Sequence, residues 1–476
     1  MGSKEPFYAD IMALHPEVTG SCNLVVVKFP DGNTIRFVVD CGLFQEIDHD
    51  ELNQSLPFNP ENVDFCLVTH NHVDHIGRLP YMVKNGFYKE IYTTETTSKL
   101  MPIALADTCK ILRDVAKRRN KKTLYSDEDV AKTMRLVKPC AYNKTIQVMD
   151  NVKVTFFNNG HLMGASMILV QISYPMEYYQ ELDTINLLFT GDYKGDNLFF
   201  DVEPLPDWVL ELPLMVIQES TYGDMDTDEM EKCFKTNILK CLAKGGTVVA
   251  PVFSLGRSQE ILYELRCMQD KGELDKNIPI YLDGKLAIKY TSLHYTDGLD
   301  VKEEMRDFLP TNYSVVNKTN RSDVLKDTDP KVILTTAGMG SYGPAQLYIP
   351  EYITRKDALI HFTGYTAEGT LGNRLKTAKM GGIVEIAGIM VKKQADVEYT
   401  KEYSAHAKAD EMIAFLQQFK DLKLVLVNHG EEETKEIFAE RILEEVSAKR
   451  VGILGRDYFF RVNPYGFVKS LSTKFE

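Results

Sequence analysis

Between Thr69 and Gly77 the chain reads Thr-His-Asn-His-Val-Asp-His-Ile-Gly, which places four metal-capable side chains, His70, His72, Asp74 and His75, within six residues. An apolar run of strand character, residues 63–68, precedes this cluster, and Leu79, Met82 and Val83 follow it at helical spacing. The cluster is therefore expected on a loop that leaves a strand and enters a helix, where several side chains can turn toward one point. Imidazole nitrogen and carboxylate oxygen together suit zinc or a similar first-row ion. In an extended backbone His70 and His72 share one side, and Asp74 and His75 fall on another. That split points to two adjacent ions.

The rest of the chain has to supply the remaining ligands and a fold around them. With 476 residues it is long enough for two to three domains and a large core. No run of about 18 apolar residues is present, so no membrane span is expected. The N-terminus, Met1-Gly2-Ser3-Lys4-Glu5-Pro6, has no apolar leader, and the first three residues are compatible with either a cloning remnant or a native start. Eight cysteines are scattered without a C-x-x-C pair, which reads as reduced core thiols in a cytoplasmic protein. A net charge of −13 repels polyanions at long range, so a nucleic-acid substrate needs bound metals or a local basic groove. The densest basic segment, residues 110–122, sets Lys110, Arg113, Lys117, Arg118, Arg119, Lys121 and Lys122 against Asp114 alone. It reads equally as a solvated helix face or a phosphate-facing one.

Taken in order, residues 23–29 and 34–39 form a hairpin pattern across Pro30-Asp31-Gly32-Asn33, and the second strand runs into Asp40-Cys41-Gly42. Residues 63–68 run toward His70, 152–157 toward Gly160-His161, 185–189 toward Gly191-Asp192, and 423–427 toward His429-Gly430. Five strands thus finish in an acid or a histidine beside glycine. If they share one edge of a sheet system, those side chains meet there. Six of the ten histidines, His70, His72, His75, His161, His406 and His429, lie in such positions. Of the others, His49 and His294 read as surface or helix residues, His361 as a core histidine, and His15 is undecided. From about 210 to 388 the pattern changes to buried apolar strands alternating with helices, which is the signature of a parallel, doubly wound domain inserted into the first. The expected division is 1–208, 209–388 and 389–476.

At this point the motifs resemble a family. Asp40, His70-x-His72-x-Asp74-His75, His161 and Asp192 are similar to the four motifs of the metallo-β-lactamase fold. Glu219 in Gln218-Glu219-Ser220-Thr221, His406 in Ser404-Ala405-His406-Ala407, and His429 in Asn428-His429-Gly430 resemble the three added motifs of its β-CASP branch. Residues 251–260 and 363–372 also look typical of that branch. Within it, the chain most resembles the RNA-cleaving members, among them the endonuclease subunit of the pre-messenger-RNA 3′-end cleavage factor and compact prokaryotic relatives. The resemblance implies an α/β fold, an αββα sandwich with an inserted doubly wound β-CASP domain. The chain shows neither the N-terminal KH domains of archaeal members nor the added C-terminal domain of ribonuclease J, so a bare catalytic core is expected.

The resemblance also implies roles. His70, His72 and His161 would hold one Zn2+, and Asp74, His75 and His429 a second, with Asp192 bridging; manganese or iron would also suit these donors. Water activated between the two ions would attack the phosphorus. Asp40 would orient a ligand. His406, oriented by Glu219, would protonate the leaving 3′-oxygen, although Glu219 also reads as a strand-end carboxylate capping the next loop. A histidine at the third added motif, here His429, favours RNA over DNA. Ser254 and Arg257, together with Thr366, Gly369 and Thr370 in the second glycine-rich loop, are candidates to hold RNA phosphates. The expected activity is a zinc-dependent, mainly endonucleolytic ribonuclease acting on single-stranded RNA, with 5′–3′ exonuclease action, a small-molecule hydrolase, a non-catalytic scaffold and a DNA nuclease as competing readings. The sequence leaves a homodimer open and offers nothing for a membrane partner.

Overall fold

The apolar runs pair into two large sheets, packed face to face in a computed structural model that describes residues 7–472 apart from 16, 45–50, 176–181, 230–231, 297, 300, 365, 367–368 and 457. His49, Tyr365, Ala367 and Glu368 lie outside the described residues. The first sheet has eight strands in the order Gly466–Ser472, Tyr458–Asn463, Tyr8–His15, Cys22–Lys28, Thr34–Val39, Phe65–Leu67, Ile91–Thr94 and Val137–Cys140. The second has seven: Val451–Ile453, Asp421–Asn428, Pro213–Glu219, Leu182–Phe189, Ser166–Pro175, Val152–Asn158 and Ile146–Met149. The core between them is built from alternate residues of both, such as Val25, Phe37, Phe65, Val154, Ile168, Leu187 and Leu426. The outer face of the first sheet is covered by the helices Leu79–Lys84 and Glu95–Arg118, and that of the second by Ala409–Leu416 and Glu432–Glu445. Helices outside two facing sheets make the αββα sandwich that the motifs implied.

The predicted hairpin is present, with Asn23 opposite Val39 and Lys28 opposite Thr34. Each strand aimed at the site ends in a backbone turn, and two of these are special. Asp40 and His429 have positive φ, 62° and 50°, a conformation that costs a non-glycine residue about 1–3 kcal/mol and persists only where the surroundings enforce it. Gly42 is required for another reason: a Cβ there would stand 1.5 Å from the Asp74 carbonyl oxygen, because the first turn after the metal motif packs directly on this strand end. That turn is itself helical, Val73–Ile76, so the helix begins inside the motif and carries Asp74 and His75, where the sequence pattern suggested a loop.

The inserted unit is a third sheet of six parallel strands, ordered Tyr313–Val316, Ile280–Asp283, Lys331–Thr335, Thr247–Pro251, Leu359–Phe362 and Asp396–Tyr399. Helices cover both faces, over cores around Val248, Leu262 and Leu334 on one side and Ile333, Tyr348 and Ile360 on the other. The sheet passes the expected edge at 388: Asp396–Tyr399 pairs with Leu359–Phe362, so this strand extends the inserted sheet and not the sandwich. Among the described residues no helix is long and apolar enough to cross a membrane.

Candidate metal centre and catalytic site

The ends of five strands from both sheets of the sandwich converge on Asp192, a buried carboxylate. Its Oδ2 lies 3.2 Å from His75 Nε2, 3.7 Å from His70 Nε2 and 3.8 Å from His161 Nε2, and its Oδ1 lies 3.4 Å from His429 Nδ1. Three groups of donors result, one of them Asp192 with Glu219 and His406, and the other two are built from the clustered motif. His70, His72, His161 and Asp192 form one, and Asp74, His75, Asp192 and His429 the other; within each, the donor atoms lie within 4.8 Å of one another. The split of His70 and His72 from Asp74 and His75 is the one read from the sequence, and Asp192 is common to both groups.

Neighbouring residues set the imidazole tautomers. The Thr69 hydroxyl donates to Asp40 Oδ2 at 2.8 Å and so accepts from His70 Nδ1, 3.0 Å away. His75 Nδ1 donates to the same Asp40 oxygen at 2.8 Å, and Thr69 N–H donates to the other at 2.8 Å. His161 Nδ1 donates to the Ala405 carbonyl at 2.9 Å. In all three rings Nδ1 carries a proton, and Nε2 is turned to the centre. The Nε2 atoms of His70, His75 and His429 and Oδ1 of Asp192 are buried and find no hydrogen-bond partner among the described residues. Burial pulls the His70 and His161 imidazoles well below their ordinary range and His72 to about 3, so all three are neutral, as ligands must be. His75 differs: burial opposes its charge, but Asp192 and Asp40 outweigh it and hold its pKa well above the usual value. A dication at Nε2 would take the place of that proton. Burial likewise opposes charge on Asp192, yet His429 and His75 hold it well below the carboxylate range. Unpartnered buried donors, matched tautomers and a shared carboxylate fit two divalent ions.

His406 stands beside this centre, with its ring centroid 4.8 Å from that of His161. Its Nδ1 donates to Glu219 at 3.0 Å and 3.1 Å from the two carboxylate oxygens. Burial opposes the His406 charge and Glu219 outweighs it, so the imidazole pKa is raised and that of Glu219 is lowered. Glu219 also accepts from Tyr193 N–H at 2.8 Å and Thr221 N–H at 3.4 Å. This carboxylate therefore meets both the backbone of the next loop and the His406 ring.

The other described histidines stay away from the centre. His361 is a core residue against Phe234, pulled down to about 4 by burial. His294 is not on the surface: it is buried between Phe199 and Phe308, also pulled to about 4, and its Nδ1 donates to the Tyr290 carbonyl at 2.9 Å. His15 packs edge-on to Phe44.

The carboxyl ends of the inserted sheet gather the glycine-rich loops. A Cβ on Gly338 would meet Phe253 at 2.8 Å, one on Gly364 would meet Arg257 Nη1 at 3.0 Å, and Gly372 N–H donates to the Met339 carbonyl at 2.9 Å. Such strand ends are where parallel sheets bind ligands. Ser254 and Arg257 sit where the strand Thr247–Pro251 turns into the helix Arg257–Asp270. Gly369 is exposed, and Thr366 lies against Gly372. Thr370 serves the fold instead, since its hydroxyl accepts from Asn373 N–H and caps the helix Leu371–Thr377. The basic stretch 110–122 closes the long helix Glu95–Arg118 and is exposed except where Leu112, Val115 and Ala116 pack inward.

Four residues near the centre escaped the sequence. Thr69 links Asp40 to His70. Asn71 donates to the Tyr290 hydroxyl at 2.7 Å and ties the metal loop to the inserted domain. Tyr222 stands edge-on to His406, 6.1 Å between ring centroids, and Lys408 lies over the Tyr222 ring with Nζ 3.4 Å from its centroid. Burial, and then Lys401 nearby, pull the Lys408 ammonium down to about 7. Only position could have flagged Thr69 and Asn71, inside the motif; nothing in the sequence marks Tyr290, Tyr222 or Lys408.

Comparison with known proteins agrees with this architecture. Residues 28–178 match a metallo-beta-lactamase superfamily domain, 258–375 a Beta-Casp domain, and 390–451 a Zn-dependent metallo-hydrolase RNA specificity domain. A ribonuclease of Thermus thermophilus is 30% identical over 452 residues, covering 92% of this chain and 96% of that protein. An RNase J-like protein of Methanocaldococcus jannaschii is 29% identical over 405 residues, covering 83% and 87%. The transcription termination factor FttA of Methanococcus maripaludis is 28% identical over 422 residues, covering 83% of this chain but 63% of that factor, so the chain spans about two thirds of the termination factors it matches. The fold, the motif order and these matches place the chain in the metallo-β-lactamase superfamily, in its β-CASP branch.

Proposed function

We propose that the chain is a two-zinc ribonuclease that hydrolyses phosphodiester bonds of single-stranded RNA, mainly at internal positions. The observation that carries this reading is the pair of donor groups sharing Asp192, with buried nitrogens turned inward beside a histidine–carboxylate pair. Bound divalent ions supply a water of lowered pKa and neutralise charge on the phosphate oxygens. The protein does the remainder. Asp40 and Thr69 fix the His70 and His75 rings, and Ala405 fixes His161. His406, kept protonated by Glu219, donates from Nε2 to the leaving 3′-oxygen. Arg257, Ser254 and the glycine-rich loops hold the flanking backbone. RNA as substrate is supported by the RNA specificity domain match and by the names of the ribonuclease relatives. A 5′–3′ exonuclease mode on the same site is the second reading, because the same chemistry serves a terminal linkage.

The test is cleavage of a long 5′-labelled single-stranded RNA by wild type, His70→Ala and His406→Ala, each with its metal content measured. Discrete internal products lost in both variants support the proposal. Release of mononucleotides alone moves it to the exonuclease mode. No cleavage of RNA by a protein holding about two ions per chain rejects it.

A further inference from the structure

Around Tyr222, whose ring stands edge-on to His406, lie two lysines to which the reaction gives no role, Lys401 and Lys408, with Arg257 close by. Lys408 has 2% of its surface exposed, and its Nζ finds no hydrogen-bond acceptor among the described residues. Its contact is the Tyr222 ring, 3.4 Å away, and Lys401 Nζ lies 5.2 Å from the same ring. Arg257, 7% exposed, comes from the inserted domain; its Nε pairs with Glu260 at 3.2 Å, while its buried Nη1 has no acceptor among the described residues. The carboxylates nearby are engaged elsewhere. Glu411 accepts from the backbone N–H of Lys408, and Glu219 from His406 and Tyr193.

This arrangement is unfavourable in the protein by itself. Lys408 is the residue from which the helix Ala409–Leu416 starts, so its charge sits at the positive end of the helix dipole. It is withdrawn from water, and a cation–π contact does not replace a lost hydration shell. Two further cations approach it from different segments. Buried donors without acceptors and an excess of like charge are both relieved by one anion.

We propose that Lys401, Lys408 and Arg257, arranged around Tyr222, form a subsite for the backbone phosphate next to the scissile one on the leaving-group side. The side follows from adjacency: His406, the group assigned to the leaving 3′-oxygen, shares the Tyr222 ring with Lys401 and Lys408. A strand whose 3′-oxygen is protonated at His406 continues in that direction to its next phosphodiester. The subsite rests on the ribonuclease reading and adds to it a requirement for charge one linkage upstream of the cut. It also gives the two domains a shared ligand, because Arg257 belongs to the inserted domain and Lys408 to the sandwich.

The experiment is a cycle between protein and substrate, with metal-loaded full-length protein. Oligoribonucleotides with one mapped cleavage site carry a single uncharged methylphosphonate at the linkage upstream or downstream of it, with 2′-O-methyl on the adjoining nucleotide. Controls carry the same 2′-O-methyl group beside an ordinary phosphate. In wild type, the upstream substitution lowers kcat/KM by about 10- to 100-fold, the size of a hydrogen bond to a charged group. In Lys408→Gln and in Lys401→Gln the unmodified RNA is cut correspondingly more slowly, and the upstream substitution costs less than about threefold further, since the interaction is already lost. Lys408→Arg retains most of the wild-type sensitivity. Lys401 is partly exposed, so its variant tests the subsite even if Lys408→Gln fails to fold. Losses that simply multiply in both variants, or a downstream effect in place of the upstream one, overturn the subsite while leaving the ribonuclease reading intact. Absence of any RNA cleavage by wild type overturns the ribonuclease reading and the subsite with it.

Discussion

Replacing Asp40 by asparagine should remove one metal from the centre and spare the other. Asp40 does not touch Asp192, the carboxylate the two donor groups share; it acts directly on His75 and, through the Thr69 hydroxyl, on His70. The change is one atom in size, but it reverses a hydrogen bond. Asp40 Oδ1 accepts from Thr69 N–H, and an asparagine oxygen can still do so. The asparagine NH2 then stands where Oδ2 was, 2.8 Å from both the Thr69 hydroxyl and His75 Nδ1. The hydroxyl can rotate to accept. His75 Nδ1 cannot accept while protonated, so the ring must shift its proton to Nε2, the atom aimed at Asp192 from 3.2 Å. A protonated Nε2 is no ligand. Losing such an orienting partner costs about 10–100-fold in metal affinity, or about 1.4–2.7 kcal/mol. The group of Asp74, His75 and His429 should bear the larger loss, because His75 is bonded to Asp40 directly, whereas His70 feels the change only through the Thr69 hydroxyl and His161 is held by Ala405. The assay is re-addition of zinc to chelator-stripped protein, with bound metal counted and affinity read by competition with an indicator. At limiting zinc, wild type should hold about two ions and Asp40→Asn about one. Equal weakening of both ions, or two ions at wild-type affinity, would refute the tautomer argument.

Glu219→Gln should leave metal content unchanged and lower kcat, with the alkaline limb of its pH profile moved to lower pH, because the carboxylate that raises the His406 pKa has lost its charge; an unmoved limb speaks against His406 as the acid. Gly42→Ala should abolish metal binding and activity together, since its Cβ and the Asp74 carbonyl cannot both occupy the turn, and soluble, metal-replete protein would contradict the packing. Tyr290→Phe strands the Asn71 amide and should destabilise the fold by about 1–3 kcal/mol, read from urea midpoints. His294 and His361 stay neutral in the fold down to about pH 4, whereas in the unfolded chain they protonate near 6.5. The unfolded state therefore gains protons first on acidification, and stability falls between about pH 6.5 and 4, by about 2 kcal/mol for each residue at pH 5. Replacing His294 with phenylalanine should flatten that decline in denaturant titrations at pH 7.5 and 5, and an unchanged slope would exclude this account.

The parts of this molecule that were legible in advance are those whose reasons are local. Four donors within six residues, and strands that end in an acid or histidine beside glycine, announce themselves without a partner, and the parallel pattern from 214 onward does the same. What escaped depends on residues that meet only after the domains pack. His294 follows a helix and looks solvated in sequence; Phe199 and Phe308 bury it. The edge at 388 was placed where the alternation of buried strands and helices ends, whereas Asp396–Tyr399, a short strand of mixed polarity, gains its place only by pairing along Leu359–Phe362. Thr370 lies in a loop that looks built for a ligand, but its hydroxyl is committed to a helix start. Lys408 shows the limit most clearly, for no pattern of neighbours foretells a buried ammonium over a tyrosine ring.

The order of strands in the sandwich has a consequence for how the protein comes into being. Asp421–Asn428 lies parallel to Pro213–Glu219 inside the second sheet, and Tyr458–Asn463 closes the first sheet against Tyr8–His15. The segments that finish both sheets leave the ribosome after the whole inserted domain. At about 5–20 residues per second, the roughly 200 residues between Glu219 and His429 take on the order of 10–40 s to make. Throughout that interval the nascent chain lacks His429, and for most of it His406 as well. The donor group of Asp74, His75, Asp192 and His429 is thus incomplete for most of the time that the chain is tethered to the RNA from which it is translated.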